Sequence, residues 1–234
     1  MKAHFYFLNH SAFRFIGVPL PQCFIELDDK LDAIFKDFGG ALRHPSVKLA
    51  GNVCRRMADI ELYALIISQL QNDKDIWKAS IITGSLLVAY FGACKSFLDS
   101  ISITLNTLFN LALSNREQDF GKRKFWKVLQ NQAPTAYSRY VPFQSFFKEI
   151  ILWREAAIHR ITPLVVVHTP TDPPKAPREQ MVLKMVAQPE PDFGDVMKSH
   201  NDFKWIDPLG LHNQWHSTFI TLCNNICNDI RERT

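Results

Sequence analysis

Apolar residues recur at helical spacing through much of the chain. Segments 47–70 and 76–113 repeat them three and four positions apart, and so does the shorter segment 23–38, which stops at Gly39-Gly40. A helix of this kind buries its apolar stripe against another element. These segments therefore predict the main helices of a bundle.

Three further helices are predicted from shorter signals. A basic and aromatic helix covers 122–130, and another opens at Pro142, because proline suits the first turn of a helix. That helix must end before Pro163, which disfavours helical geometry at Thr162. A final amphipathic helix is predicted over roughly 212–232.

β-structure is predicted at two places. Residues 2–20 alternate short aromatic and apolar runs with glycine and proline, as an N-terminal strand or hairpin would. The β-branched runs 164–168 and 181–186 flank the proline-rich stretch 170–177, which indicates a hairpin near 164–187 with a long tip. The expected fold class is mainly α: a helical bundle with a small β element.

The length of 234 residues and the hydrophobic content of 47% predict one domain, 1–234, with a substantial core. We divide it into three parts. An N-terminal strand and helix extension covers 1–45, the helical core covers 46–162, and the β-hairpin and C-terminal helix cover 163–234.

Charge and cysteine content narrow the class of protein only slightly. A net charge of +4 tolerates a polyanionic partner without demanding one. Five cysteines without the spacing of a disulfide framework favour a reducing, cytoplasmic location. The apolar run at the start is too short for a secretory leader, and the longest apolar stretch, 81–91, is well under the roughly 20 residues of a membrane span. We expect no membrane segment.

Arg154 is the most unusual charged residue in the pattern. On an ideal helix it projects from an apolar face formed by Phe143, Phe147, Ile150, Ile158 and Ile161. A buried, unpaired guanidinium is costly, so Arg154 must be hydrated, paired or open to an anionic ligand. The residue pattern alone favours a structural ion pair over an anion site.

His159 follows Arg154 by five positions on the same predicted helix. The two side chains are then about 140° apart around the helix and roughly 7.5 Å apart along it, so they do not converge. Two arrangements would bring them together. The helix loosens before Pro163, or two subunits place their helices side by side so that each contributes to one cleft.

The segment Trp153-Arg154-Glu155-Ala156-Ala157-Ile158-His159-Arg160 resembles the signature of HEPN domains. The shared pattern is an arginine, four intervening residues and a histidine, placed at the end of a helix that follows longer helices. The resemblance covers roughly 46–162. The resemblance implies a HEPN-like bundle that forms a homodimer, with a groove between the protomers.

The same resemblance implies a role for each residue. Arg154 would bind the scissile phosphate and His159 would act as general acid or base for attack by the ribose 2′-OH. The expected products are a 2′,3′-cyclic phosphate and a 5′-OH, with no metal and no cofactor. Many active members have Asn, Asp or His after the arginine, whereas this chain has Glu155. Ile161 occupies the place where some toxin members carry a modifiable tyrosine.

A polar strip runs along the predicted helix near 90–110. Its four residues fall within about 60° of one another on a mostly apolar helix: Lys95, Asp99, Ser102 and Asn106. One interpretation is a solvated strip with an exposed Lys95–Asp99 pair. The other is that the strip lines the same groove as Arg154 and Glu155, as polar residues on an earlier helix do in many HEPN members.

A second group of cations and rings suggests contact with single-stranded RNA. Its members are Lys122, Arg123, Lys124, Trp126 and Lys127, together with Arg160 after the HEPN-like motif. The more common meaning of such a run is a solvated helix face with Phe125 or Trp126 turned inward.

Four residues of the last predicted helix superficially resemble zinc ligands: His212, His216, Cys223 and Cys227. They share one helical face, but the outer pairs are about 16 Å apart along the axis, so one straight helix cannot wrap all four around one ion. Core or partner packing is the favoured interpretation, and a two-ligand site completed from elsewhere in the chain is the alternative. We expect no metal.

The sequence thus leads to two functional hypotheses. The first is a metal-independent endoribonuclease that acts on RNA as a homodimer, as a toxin or antiviral defence effector with a cognate antitoxin or other protein partner. The second is a catalytically inactive HEPN-like module that binds a nucleotide, RNA or a protein. Glu155 is the feature that favours the second.

Overall fold

The computed structural model describes residues 45–71, 73, 75–159, 165–168, 182–186 and 205–233. The predicted N-terminal strand over 2–20, the helix over 23–38 and the proline-rich stretch 170–177 lie outside these ranges. Elements are numbered below in the order in which the described chain forms them.

Helices α1, Pro45–Gln71, and α2, Ile76–Leu108, pack against each other as a long helical hairpin. Asp75 caps α2, because its carboxylate accepts a hydrogen bond from the backbone N–H of Lys78 at 3.1 Å. The helix ends earlier than the predicted 113. Asn110 and Ala112 adopt φ values of 50° and 53°, which a right-handed helix cannot accommodate.

Three shorter elements and a longer helix follow α2. Helix α3 is Arg123–Gln132, α4 is Pro134–Tyr140, a 3-10 turn covers Val141–Phe143, and α5 is Gln144–His159. The sequence reading missed α4, which has Pro134 in its first turn, and placed the start of α5 two residues early at Pro142. Pro142 instead lies in the 3-10 turn that connects α4 to α5.

Three short strands follow α5. Strand β1, Val165–His168, pairs antiparallel with β2, Val182–Val186, and β2 pairs antiparallel with β3, Trp205–Ile206, in the order β1-β2-β3. The sequence analysis did not predict β3. Val165 packs beside Ile76 and Ala79 at the start of α2, so the sheet lies against that end of the long hairpin.

Helix α6, Pro208–Arg233, completes the largest apolar core, which contains buried residues from each of the six described α-helices. Its centre is aromatic. Phe91 of α2 stacks on Trp153 of α5 with ring centroids 5.0 Å apart, and Phe219 of α6 contacts the edge of Phe97 at 5.2 Å. The prediction of a mainly α-helical bundle is confirmed.

A buried polar contact joins α4 to α6. Asp229, only 1% exposed, pairs with Arg139 and accepts a hydrogen bond from the Tyr140 hydroxyl at 2.7 Å. Burial, followed by the neighbouring Asp229 charge, raises the pKa of Tyr140 well above its ordinary value. Tyr140 therefore stays a phenol and a hydrogen-bond donor.

Among the described helices, α2 alone is long and apolar enough to cross a membrane by length and composition. Half of its most apolar window is buried inside the protein, where α2 meets α1, α5 and α6. A core helix satisfies the same two criteria, so this finding gives only weak support for a membrane span.

Candidate functional site

Arg154 lies near the end of α5, on the flank of its buried face. Phe147, Ile150, Trp153 and Ala157 form that face, each no more than 7% exposed. The predicted face was partly wrong, because Ile158 is 44% exposed and Ile161 lies outside the described residues. Because the buried face includes Trp153 and Ala157 instead of Ile158, Arg154 lies at its edge. The Arg154 side chain is 31% exposed.

The first partner of Arg154 is its neighbour in the chain. Its Nη1 donates a hydrogen bond to Glu155 Oε1 at 2.6 Å, and the Glu155 side chain is 46% exposed. Charge-assisted bonds of this kind are stronger than neutral ones, but solvent screens a half-exposed pair. Arg154 is thus partly neutralised on the surface where an anion would have to bind.

Lys95 and Asp99 of α2 form the predicted ion pair one helical turn apart, and Asp119 of the following loop joins them. Lys95 Nζ contacts Asp99 Oδ1 and lies 3.3 Å from Asp119 Oδ2. The Lys95 side chain is only 14% exposed. We call these three residues the α2 charge cluster.

Arg154 belongs electrostatically to the α2 charge cluster. Burial raises the pKa of Asp99 above its ordinary value, and the charge and hydrogen bond of Lys95 counteract that rise. The negative charge of Asp119 raises the pKa of Asp99 further, whereas the positive charge of Arg154 lowers it. Arg154 of α5 is therefore near enough to Asp99 of α2 for its charge to lower the pKa of that carboxyl slightly.

The other two residues of the predicted strip have a different role. Ser102 is fully buried, and its hydroxyl lies 2.8 Å from the carbonyl oxygen of Gln118. Asn106 accepts a hydrogen bond from the backbone N–H of Leu113 at 3.0 Å. Both side chains hold the loop after α2, so the expectation that they line an open groove is corrected.

Asp119 and Gly121 are site residues that the sequence analysis missed. Asp119 Oδ1 accepts a hydrogen bond from the Gly121 backbone N–H at 2.7 Å, which shapes a tight turn. A Cβ at Gly121 would lie 3.3 Å from Ile151 Cδ1 of α5. The local sequence Asp119-Phe120-Gly121 signals a turn, but only the fold shows that this turn packs against α5.

His159 is the last residue of α5, and its side chain lies outside the described residues, as does the whole of Arg160. The proposed cooperation of Arg154 and His159 therefore stays a prediction. The backbone of α5 is helical up to His159. The stretch 160–162 before Pro163, where the helix was predicted to loosen, lies outside the described residues.

The basic segment at the start of α3 keeps its cations at the surface, but its indole faces inward. Lys122, Arg123, Lys124 and Lys127 are exposed, and Lys124 pairs with Glu117 at 2.5 Å. Trp126 donates a hydrogen bond to the Phe120 carbonyl at 2.7 Å and packs on Phe120 and Phe147. We correct the assignment of Trp126 as an RNA-stacking residue, because these contacts occupy its ring.

The two histidines of α6 meet residues that the sequence analysis did not select. His212 Nδ1 lies 3.1 Å from the Tyr90 hydroxyl, and His216 Nε2 lies 3.2 Å from Glu61 Oε1. Cys223 is buried in the core, and the side chain of Cys227 lies outside the described residues. Within the described ranges, no group of three or more histidine, cysteine, aspartate or glutamate side chains could hold a metal ion.

The sequence matches no protein-family model, and comparisons with curated proteins and with solved structures find no significant match. Inferences about function therefore depend on the chemistry of the site itself.

Proposed function

We propose that this chain is a HEPN-like, metal-independent endoribonuclease that acts on RNA as a homodimer. The observation that supports this most is the position of Arg154. It lies partly exposed near the end of α5, within electrostatic reach of the α2 charge cluster. Arg154 would bind the scissile phosphate, because a guanidinium offers several donors to phosphate oxygens and keeps its charge.

His159 would transfer the proton that attack by the ribose 2′-OH requires. Five positions on an ideal helix correspond to about 140° of rotation, so we do not expect one protomer to pair Arg154 with His159 by itself. A two-fold contact between the α5 helices of two copies would place Arg154 and His159 in a shared groove. This spacing is the reason that the proposal includes a homodimer.

The biological role that we attach to this activity is that of a toxin or antiviral effector in the cytoplasm, held in check by a cognate antitoxin or another protein. This role is an analogy with the HEPN resemblance. Lys122, Arg123 and Lys127 are the exposed cations that would contact the RNA backbone beyond the cleavage site.

The test is cleavage of mixed RNAs by purified protein in EDTA, with the ends of the products identified. We expect fragments with 2′,3′-cyclic phosphate and 5′-OH ends, lost in both Arg154→Ala and His159→Ala. Arg56→Ala is a matched control, since Arg56 is a surface arginine paired with Asp59 at 3.1 Å on α1. Cleavage that survives both site variants would refute the catalytic assignment.

A second candidate function is a catalytically silent module that uses the same region to bind a nucleotide, RNA or a protein. The specific observation in its favour is the 2.6 Å hydrogen bond between Arg154 and Glu155, which places a carboxylate where the phosphate would bind. RNA binding measured by calorimetry, without turnover in the gel assay, would support this candidate. Robust turnover would reject it.

A further inference from the structure

Exposed apolar side chains are concentrated on α2, apart from the residues assigned to RNA. Of the six large hydrophobic residues that are exposed within the described ranges, four belong to this helix, so they are not spread evenly over the surface. Trp77 and Ile81 are 69% and 74% exposed, and Ile82 and Ile103 are each 36% exposed. Exposed apolar side chains that are grouped in this way mark an interaction site, whereas single ones are normal.

Three of these side chains share one face of the helix. At about 100° per residue, Trp77, Ile81 and Ile103 fall within about 80° of one another. The stretch 79–94 contains no charged residue, although a surface helix usually carries charges on its outer face. The central positions of this face are small. We call it the α2 strip, and its members are Trp77, Ile81, Ser85, Ala89, Gly92 and Ile103.

Gly92 is the member of the α2 strip that packing inside the chain does not explain. A glycine inside a helix is less favourable than alanine by about 1 kcal/mol. Within the described residues, a Cβ at Gly92 would have no neighbouring atom within 4 Å, so the interior does not require a glycine here. A glycine does allow another backbone to approach closely. Its place at the middle of α2 therefore indicates a partner outside the chain.

The charges near the two ends of the α2 strip match those of a second copy. Lys78 is exposed near one end, and Asp99, whose side chain is 40% exposed, lies near the other. Ala89 is about midway, roughly 15–17 Å along the helix from each of them. A two-fold axis beside Ala89 would lay two α2 helices antiparallel, with Lys78 of each copy towards Asp99 of the partner subunit.

The same axis also matches the sizes of the side chains. It brings Trp77 near the end of the partner's strip that carries Ile103, and it places the small residues around Gly92 together at the centre. Helix axes approach most closely where the side chains at the contact are small. Because the middle of the strip is uncharged, the contact buries no charge without a counter-charge there.

We propose that the α2 strip is a two-fold contact surface for a second copy of this chain. It is distinct from the α5 contact of the proposed function. Phe91, which stacks on Trp153 of α5, is one position and so about 100° away from Gly92 around the helix. The α2 contact therefore leaves α5 free, and it does not depend on cleavage of RNA.

The experiment measures the mass of the full chain by sedimentation equilibrium over a range of concentrations. Gly92→Glu places a side chain and a like charge close to the axis in both copies, so it should halve the mass of the assembly. Far-UV circular dichroism should be unchanged, because a side chain at Gly92 meets no neighbouring atom within the described chain. Asn131→Glu, at an exposed position of α3, is the matched control and should leave the mass unchanged.

Two further variants test the antiparallel register. Lys78→Glu should raise the dissociation constant by about tenfold or more, because it sets like charges opposite each other. Ala89→Cys should form a disulfide between two copies on mild oxidation, since the axis passes beside this residue. Asn131→Cys and the unchanged chain are the controls, and neither should give that cross-linked dimer on a non-reducing gel.

A mass that is the same for Gly92→Glu and the unchanged chain would overturn the proposal. So would binding of the unchanged chain to phosphatidylcholine vesicles that Gly92→Glu abolishes without a change in mass, because a lipid surface would then be the partner of the strip. RNA cleavage by Gly92→Glu in EDTA should persist while the mass is halved. Loss of cleavage in the Arg154 and His159 variants is a separate readout, so failure of the proposed function and failure of this contact are distinguishable.

Discussion

In the candidate site, burial and the neighbouring charges change the pKa of Asp99 in opposite directions. Burial raises its pKa above the ordinary value despite the adjacent Lys95, so folding favours its protonated form. The stability that this provides is present at low pH and is lost as the pH rises through the raised pKa of the folded state. Ionisation of Asp99 therefore lowers the free energy of unfolding, even though Lys95 pairs with the carboxylate.

The corresponding prediction concerns Asp99→Asn. The free energy of unfolding of this variant, minus that of the unchanged chain, should increase as the pH rises from about 4 to neutrality. The reason is that the variant has no carboxylate to ionise at this position. Urea unfolding at several pH values measures this difference. Glu117→Gln is a control of opposite sign at lower pH: the Lys124 hydrogen bond lowers the pKa of Glu117 to about 2, so the stability from its carboxylate is present above about pH 4.5 and is lost as the pH falls towards 2. A pH-independent difference for Asp99→Asn would contradict the prediction.

Glu155 is the residue that decides between the two proposed functions. Its carboxylate competes with a phosphate for Arg154, so Glu155→Gln should tighten RNA binding, by about fivefold if roughly 1 kcal/mol of competition is removed. Fluorescence anisotropy with a short labelled RNA measures the change. Glu149→Gln, on the same helix but bonded to Trp215, is the control. Weaker binding by Glu155→Gln would indicate that the carboxylate itself contacts the RNA.

At the scale of elements, the loop between α2 and α3 positions Asp119 beside Lys95. Asn106 holds this loop through its hydrogen bond with the Leu113 backbone, and Ser102 holds it near Gln118. Polar side chains that satisfy buried backbone groups are costly to remove. In the polar strip of α2, Lys95 and Asp99 thus form an ion pair, whereas Ser102 and Asn106 hold the loop that follows the helix.

Replacing Asn106 tests this division of roles. Asn106→Ala should lower the free energy of unfolding by about 1–3 kcal/mol, because it leaves the Leu113 backbone N–H without its acceptor. Amide exchange over 109–122 should become faster. Thr107→Ala, an exposed neighbour that bonds only within α2, should change neither measurement much. Unchanged exchange in Asn106→Ala would show that the loop is held by its apolar contacts alone.

At the scale of the whole molecule, α6 completes the core although it lies far from α2 in the sequence. Phe219 of α6 is fully buried against Phe97 of α2 and Phe146 of α5. Edge-to-face aromatic pairs of this kind add to the hydrophobic gain of burial. Helix α6 therefore shares one apolar core with α2 and α5.

The prediction at this scale is that Phe219→Ala costs about 3–5 kcal/mol, because it opens a cavity where three helices meet. Chemical unfolding followed by circular dichroism measures the loss. Leu152→Ala is the control: this α5 side chain is 51% exposed, so its removal should cost no more than about 0.5 kcal/mol. A small effect of Phe219→Ala would mean that α6 contributes little to the stability of the core.

Much of the architecture was predictable because helix formation is encoded locally. The apolar periods of 47–70 and 76–113 identify α1 and α2, and the amphipathic stretch 212–232 identifies α6. Short elements were less predictable. Helix α4 has only seven residues, too few for a clear period, and the two residues of β3 form a strand only because β2 lies beside them.

The sequence by itself determined the long helices and the mainly α class, since each depends on neighbours along the chain. Tertiary structure decided which charges meet. Lys95 and Asp119 are brought together by the loop after α2. Glu61 and His216 meet although most of the chain separates them. Such contacts arise from the packing of apolar faces, whose mutual orientation no local pattern specifies.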